Sequence, residues 1–140
     1  MRISARNVLE AKVQDVTKGA VNAQVALVLV GGENIVAIIT NSSVDSLGLE
    51  EGTPAYVIIK ASEVIVGKGI DRTKLSARNV LAGEVTSLLD GAVNSEVAIG
   101  LTGGAAVVAS ITKESVHALG LQVGDQVSAI VKASNVMIGV

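Results

Sequence analysis

Apolar and polar positions alternate along several short stretches of the chain, and small or polar turns cut the alternation at intervals. Val21, Ala23, Val25, Leu27 and Leu29 fall on one face of an extended segment, with Asn22 and Gln24 on the other. That period of two is the mark of a half-buried strand. Asn7–Thr17 and Val21–Val30 read as β-rich segments separated by Lys18-Gly19-Ala20. Gly31-Gly32-Glu33-Asn34 is a turn, so Val21–Thr40 predicts a hairpin whose second strand is Ile35–Thr40. A short helix is expected over Ser42–Leu47, capped by Thr40 or Asn41 and closed by Gly48. Pro54–Lys60 predicts a further strand and Val64–Val66 a short last one.

The whole pattern is then written a second time. Ser4-Ala5-Arg6-Asn7-Val8-Leu9 recurs unchanged as Ser76-Ala77-Arg78-Asn79-Val80-Leu81, an offset of 72. The same offset carries Gly19-Ala20-Val21-Asn22 onto Gly91-Ala92-Val93-Asn94, Gly31-Gly32 onto Gly103-Gly104, and Lys60-Ala61-Ser62 onto Lys132-Ala133-Ser134. Thr112 and Gly120 take the helix-capping places in the second copy, and no gap is needed anywhere. A short polar linker, about Lys68 to Thr73, divides the chain into units at 1–68 and 73–140. Strands with one short helix between the third and fourth predict an all-β protein of two tandem OB-like, five-stranded barrels. Exchange of a strand between the units is compatible with the pattern.

Composition narrows the chemistry. There are 11 basic and 13 acidic residues, for a net charge of −2. Nucleic-acid and anionic-membrane surfaces need a basic excess, so neither partner is expected. With no cysteine and one histidine, His117, thiolate sites and multi-histidine metal sites within one chain are excluded. The chain is 49% hydrophobic with a mean hydropathy of +0.58, yet Tyr56 is its one aromatic residue. The longest apolar run, Val25–Val30, is far too short to span a bilayer, and the first residues hold no apolar signal core. A cytosolic protein that buries its excess apolar surface against other subunits is expected.

The duplication filters candidate sites, because a site used in both units keeps its chemistry in both. No acidic position is acidic in both copies: Glu33 aligns with Ala105, Asp45 with His117, Glu63 with Asn135. A carboxylate cation site or an acid/base pair therefore cannot occur twice, and neither an enzyme nor a metal-cation site is expected. Basic character persists at Arg2/Lys74, Arg6/Arg78 and Lys60/Lys132, while Lys12/Glu84 and Lys18/Asp90 reverse sign. The cations that persist inside longer repeated motifs stand among hydroxyls, an amide and small residues: Ser4, Ala5, Arg6 and Asn7 in one segment, Lys60, Ala61 and Ser62 in the other. Such a set offers hydrogen-bond donors to a tetrahedral oxyanion, whose desolvation charge-assisted bonds offset. The Gly-rich turns fit neither a P-loop nor a dinucleotide fingerprint. Tyr56 aligns with Ser128, which leaves an oligonucleotide-binding barrel without its stacking platform.

Ser-Ala-Arg-Asn at the start of each unit, Gly-Ala-Val-Asn between its first two strands and Lys-Ala-Ser-x-Val near its end resemble the molbindin, or Mop, domain. The resemblance covers essentially the whole chain, as two Mop units. It implies an OB-like fold that binds molybdate, and tungstate similarly, for cytoplasmic storage or homeostasis, with no other cofactor. It also implies a homotrimer with six Mop units and anions at the interfaces between units. Carried over by motif, Ser4, Ala5, Arg6 and Asn7 would face Lys60, Ala61 and Ser62 of a neighbouring unit. In the second copy the set is Ser76, Ala77, Arg78 and Asn79 with Lys132, Ala133 and Ser134. A second class of anion site near the threefold axis is implied as well, with Gly19, Ala20, Val21 and Asn22 and with Gly91, Ala92, Val93 and Asn94 as weaker candidates. An oligomer that senses the anion for a partner protein is the alternative role.

Overall fold

A computed structural model describes residues 1–140. The first half forms β1 (Asn7–Lys18), β2 (Asn22–Leu29), β3 (Asn34–Thr40), α1 (Asn41–Leu47), β4 (Pro54–Ile59) and β5 (Ile65–Gly67). The second half repeats them as β6 (Asn79–Asp90), β7 (Asn94–Leu101), β8 (Ala106–Thr112), α2 (Lys113–Leu119), β9 (Gln126–Val131) and β10 (Met137–Gly139). Short 3-10 turns cover Ala61–Glu63, Arg72–Lys74 and Ala133–Asn135.

The local expectations hold. β2 and β3 pair as an antiparallel hairpin with Val25 opposite Ala37. Of the two candidate caps, Thr40 is the one used: its hydroxyl accepts from the Ser43 N–H, and Gly48 closes the helix at φ 63°. Thr112 and Gly120 repeat both devices. In each unit the long first strand carries a bulge at the same place, between Val13 and Asp15 and between Val85 and Ser87. A bulge there increases local twist and helps the sheet curl.

The two sheets do not follow the division of the sequence. The first has the order β10-β4-β1-β2-β3 and the second β5-β9-β6-β7-β8. Each is a curled, five-stranded antiparallel sheet whose fifth strand comes from the other half of the chain. Ile138 of β10 lies opposite Val57 of β4, and Val66 of β5 lies opposite Ala129 of β9. The exchange merges the interiors, so that 28 buried apolar residues from both halves form one continuous core. Lys68 fastens the outgoing strand to its host. Its ammonium lies 3.0 Å from an Asp125 carboxylate oxygen and donates to the Leu119 carbonyl at 3.1 Å. The Gln122 N–H and Lys68 together hold the Asp125 carboxyl below its usual range. This contribution is complete at neutral pH and fades as acid protonates the carboxylate.

Two further devices join the halves, and both are reciprocal. The Asn79 side chain donates from Nδ2 to the Val36 carbonyl at 2.8 Å and accepts from the Val36 N–H at Oδ1, also at 2.8 Å. Asn7 does the same to Val108, at 2.8 and 2.7 Å. β3 and β8 are edge strands, so each amide occupies outward backbone groups that another strand would otherwise seek. At the hairpin tips the Gly31 and Gly103 backbones meet, and a Cβ on either would collide with the other's carbonyl oxygen. These glycines are therefore required by close approach, while the neighbouring Gly32 and Gly104 take the left-handed turn positions. Reciprocal contacts between equivalent elements relate the halves by an approximate twofold axis.

Two outcomes follow from this arrangement. Asn79→Ala leaves the Val36 N–H and C=O without their partners in a part-buried setting and should cost about 2–4 kcal/mol, read as a lowered urea midpoint with an unchanged m-value. Residues 1–68 expressed alone should fold only as a dimer or larger assembly, each copy lending its β5; a folded monomer in sedimentation would contradict the exchange.

Candidate functional site

The pairing of β1 with β4 sets Asn7 opposite Ile59, and that of β6 with β9 sets Asn79 opposite Val131. The segment entering the first strand of each unit therefore lies beside the segment leaving the fourth. In the second unit the result is a surface hollow of about 370 Å³ lined by Ser76, Ala77, Arg78, Lys132, Ala133 and Ser134. Ile38 and Ile65 from the first half, with Leu75 and Ile130, give it an apolar side. The donor segments thus meet within one unit, where the resemblance implied facing segments from neighbouring units. The other half supplies part of the wall.

Not every expected residue joins this cluster. Asn7 and Asn79 are 2% exposed, and both amides are committed to the other half's backbone. They hold the wall in place and do not line the hollow. The strand period announces this placement, since Asn7 is in phase with the inward-facing Ala11 and Val13. Gly19–Asn22 and Gly91–Asn94 lie at the far hairpin turns, away from the hollow. There the Gly19 N–H donates to the Asn22 carbonyl at 2.8 Å, and Asn41 Nδ2 donates to the Gly19 carbonyl at 2.9 Å. Val21 and Val93 stand out of these turns, 69% and 74% exposed.

The arginines reach across the twofold axis. Arg6 makes a forked ion pair with Glu96 of β7, with Nη2 to Oε2 at 3.3 Å. The hydrogen bond to Glu96, and then its charge, raise the guanidinium pKa above its ordinary value. Arg78 makes the equivalent contact to Gln24 of β2, from Nη1 to Oε1 at 3.0 Å. Gln24 and Glu96 are equivalent positions, 72 apart. They are the site neighbours that motif reading misses, although the offset alignment displays their difference in charge. Ser76, Arg78, Lys132 and Ser134 are all exposed, so the donors can turn toward a ligand.

A larger hollow of about 650 Å³ lies beside α1, but Asp15, Asp45, Glu50 and Glu51 line it together with a single cation, Lys18. Lys18 is already paired with Asp45 at 2.5 Å. This surface repels an anion, and none of its four carboxylates aligns with an acidic residue in the second unit. No group of three or more His, Asp or Glu side chains is placed to hold a metal ion.

The TOBE domain profile matches residues 3–66 and again 75–138. The chain is a tandem TOBE-domain protein of the molbindin (Mop) family. It is 44% identical to the cytoplasmic molybdate-binding protein ModG, crystallised with molybdate bound. That comparison covers 100% of this chain and 99% of the other, with a TM-score of 0.95. Molybdenum-pterin-binding protein MopA of Rhodobacter capsulatus is 42% identical over 99% of this chain and 52% of its own length. Molybdenum transport protein ModE of Herbaspirillum seropedicae is 37% identical over 100% of this chain and 52% of its own. The molbindin chain thus spans about half the length of these curated relatives. Their names describe binding and transport, not catalysis. No helix is long and apolar enough to cross a membrane.

Proposed function

We propose that the chain binds molybdate, and tungstate similarly, at the paired Ser-Ala-Arg and Lys-Ala-Ser segments. One observation carries this reading: the fold of a protein crystallised with molybdate runs through the whole chain at a TM-score of 0.95; the donor hollow where the second unit's two motifs meet agrees with it. Ser4, Ala5, Arg6, Lys60, Ala61 and Ser62 form the first set, and Ser76, Ala77, Arg78, Lys132, Ala133 and Ser134 the second. Arg and Lys supply charge-assisted bonds, Ser an O–H, and the small Ala side chain allows close approach to the backbone. In this proposal a neighbouring chain completes the open hollow. A homotrimer with six Mop units is the assembly proposed. The role is cytoplasmic molybdenum storage or homeostasis, without catalysis, nucleic acid or membrane.

A sensing role has its own support. ModE of Herbaspirillum seropedicae, a transport protein by name, matches the whole chain with about half of its length. A molbindin pair can therefore form part of a larger protein, and the sensing role proposed as the alternative would place its anion site there.

Calorimetric titration with molybdate, tungstate, sulfate and phosphate tests the ligand. Molybdate and tungstate should bind at micromolar concentration or tighter, and absence of molybdate binding in that range would sink the proposal. Lys60→Ala combined with Lys132→Ala should remove most sites and leave the oligomer mass unchanged in native mass spectrometry. Unaltered stoichiometry would make these lysines ordinary surface residues.

A further inference from the structure

The two donor sets of one chain match in sequence but not in charge. Around the first, Arg6 is held by the Glu96 carboxylate, and Glu63 follows Ser62 in the chain. Around the second, Arg78 meets the neutral Gln24 amide, and Asn135 follows Ser134. Each set brings one Arg and one Lys. The local formal charge is therefore zero in the first and plus two in the second.

We infer that the two anion sites of each chain are unequal in affinity, with a tetrahedral dianion filling the Arg78–Lys132 site before the Arg6–Lys60 site. The inference rests on the reading of these segments as oxyanion sites. Its physical content is competition. Both nitrogens of the Arg6 fork already contact a carboxylate, so an incoming dianion must displace Glu96 or share the guanidinium with it. It must also approach a nearby negative charge. Arg78 gives up only a neutral acceptor. The Arg6–Glu96 pair is half exposed, so water and salt moderate its effect, and the first site is weakened without being abolished. The same β-strand positions, 24 and 96, carry the arginine contact in both halves.

Exchange of the two residues tests this with sodium molybdate as the probe, on the full chain in its native assembly. In the unmodified protein, the sites abolished by Lys60→Ala and by Lys132→Ala should form two classes of equal number, separated about tenfold in affinity. Lys132→Ala should remove the tighter class and Lys60→Ala the weaker one. Glu96→Gln recreates at Arg6 the contact that Arg78 already makes, so the fold should persist, checked by circular dichroism and native mass. It should shift the weaker class toward the tighter by about tenfold, and Gln24→Glu should shift the tighter class toward the weaker by a similar factor. Raised salt should narrow the gap. Equal classes in the unmodified protein, or classes unmoved by both exchanges, would overturn the inference while leaving molybdate binding intact. Absence of molybdate binding by every variant would instead overturn the reading of the site.

Discussion

The structure depends on a reciprocal loan: each half of the chain completes the other's sheet and seals the other's edge. β10 closes the first sheet, β5 closes the second, and the amides of Asn7 and Asn79 occupy the outward groups of β8 and β3. A unit of about 70 residues without disulfides or large aromatic side chains has too little interior to be secure alone. Exchange solves this by joining two thin cores into one. It also brings walls from the opposite half to the donor hollow, where Ile38 and Ile65 stand beside Ser76 and Lys132. Fold and candidate site are thus products of the same contact.

How much of this was legible in the sequence depends on the range of the interaction. The β2–β3 hairpin and both capped helices are set by residues a few positions apart, and Thr40, Gly48, Thr112 and Gly120 announce themselves. The destination of β5 and β10 was not legible. The local pattern of Val64–Val66 does not say which fourth strand it joins, because the two units repeat each other. Exchange is then decided by the path of the linker and by the joint packing of both halves, which no local pattern encodes. Asn7 illustrates a different difficulty. Its place beside Arg6 in a donor-rich motif suggests a ligand contact, whereas its phase on β1 sends it inward to the backbone of β8. Chemistry and periodicity pointed in different directions, and at a buried strand position periodicity governs.

Electrostatics divides along the same line. Lys18 at the end of β1 pairs with Asp45 of α1, while the equivalent residues are Asp90 and His117, and Asp90 instead accepts from Ser95 at 3.0 Å. Exposed pairs of this kind contribute little to stability, so the repeat tolerates their reversal. Buried amides and close-packed glycines have no such latitude.

Tandem fusion matters for this reason. In an assembly of identical single units, symmetry makes every equivalent site the same. Fusing two units into one chain removes that constraint wherever a residue does not meet its own counterpart. Gly31 and Gly103 touch each other across the axis, and Asn7 and Asn79 serve matching edges, so both pairs are held alike by geometry. Gln24 and Glu96 do not touch each other; each meets the other half's arginine. They are free to differ without disturbing the strands that carry them. Duplication thus preserves the frame and leaves the electrostatic neighbourhood of each donor set adjustable, a separation unavailable to a symmetric assembly of single units.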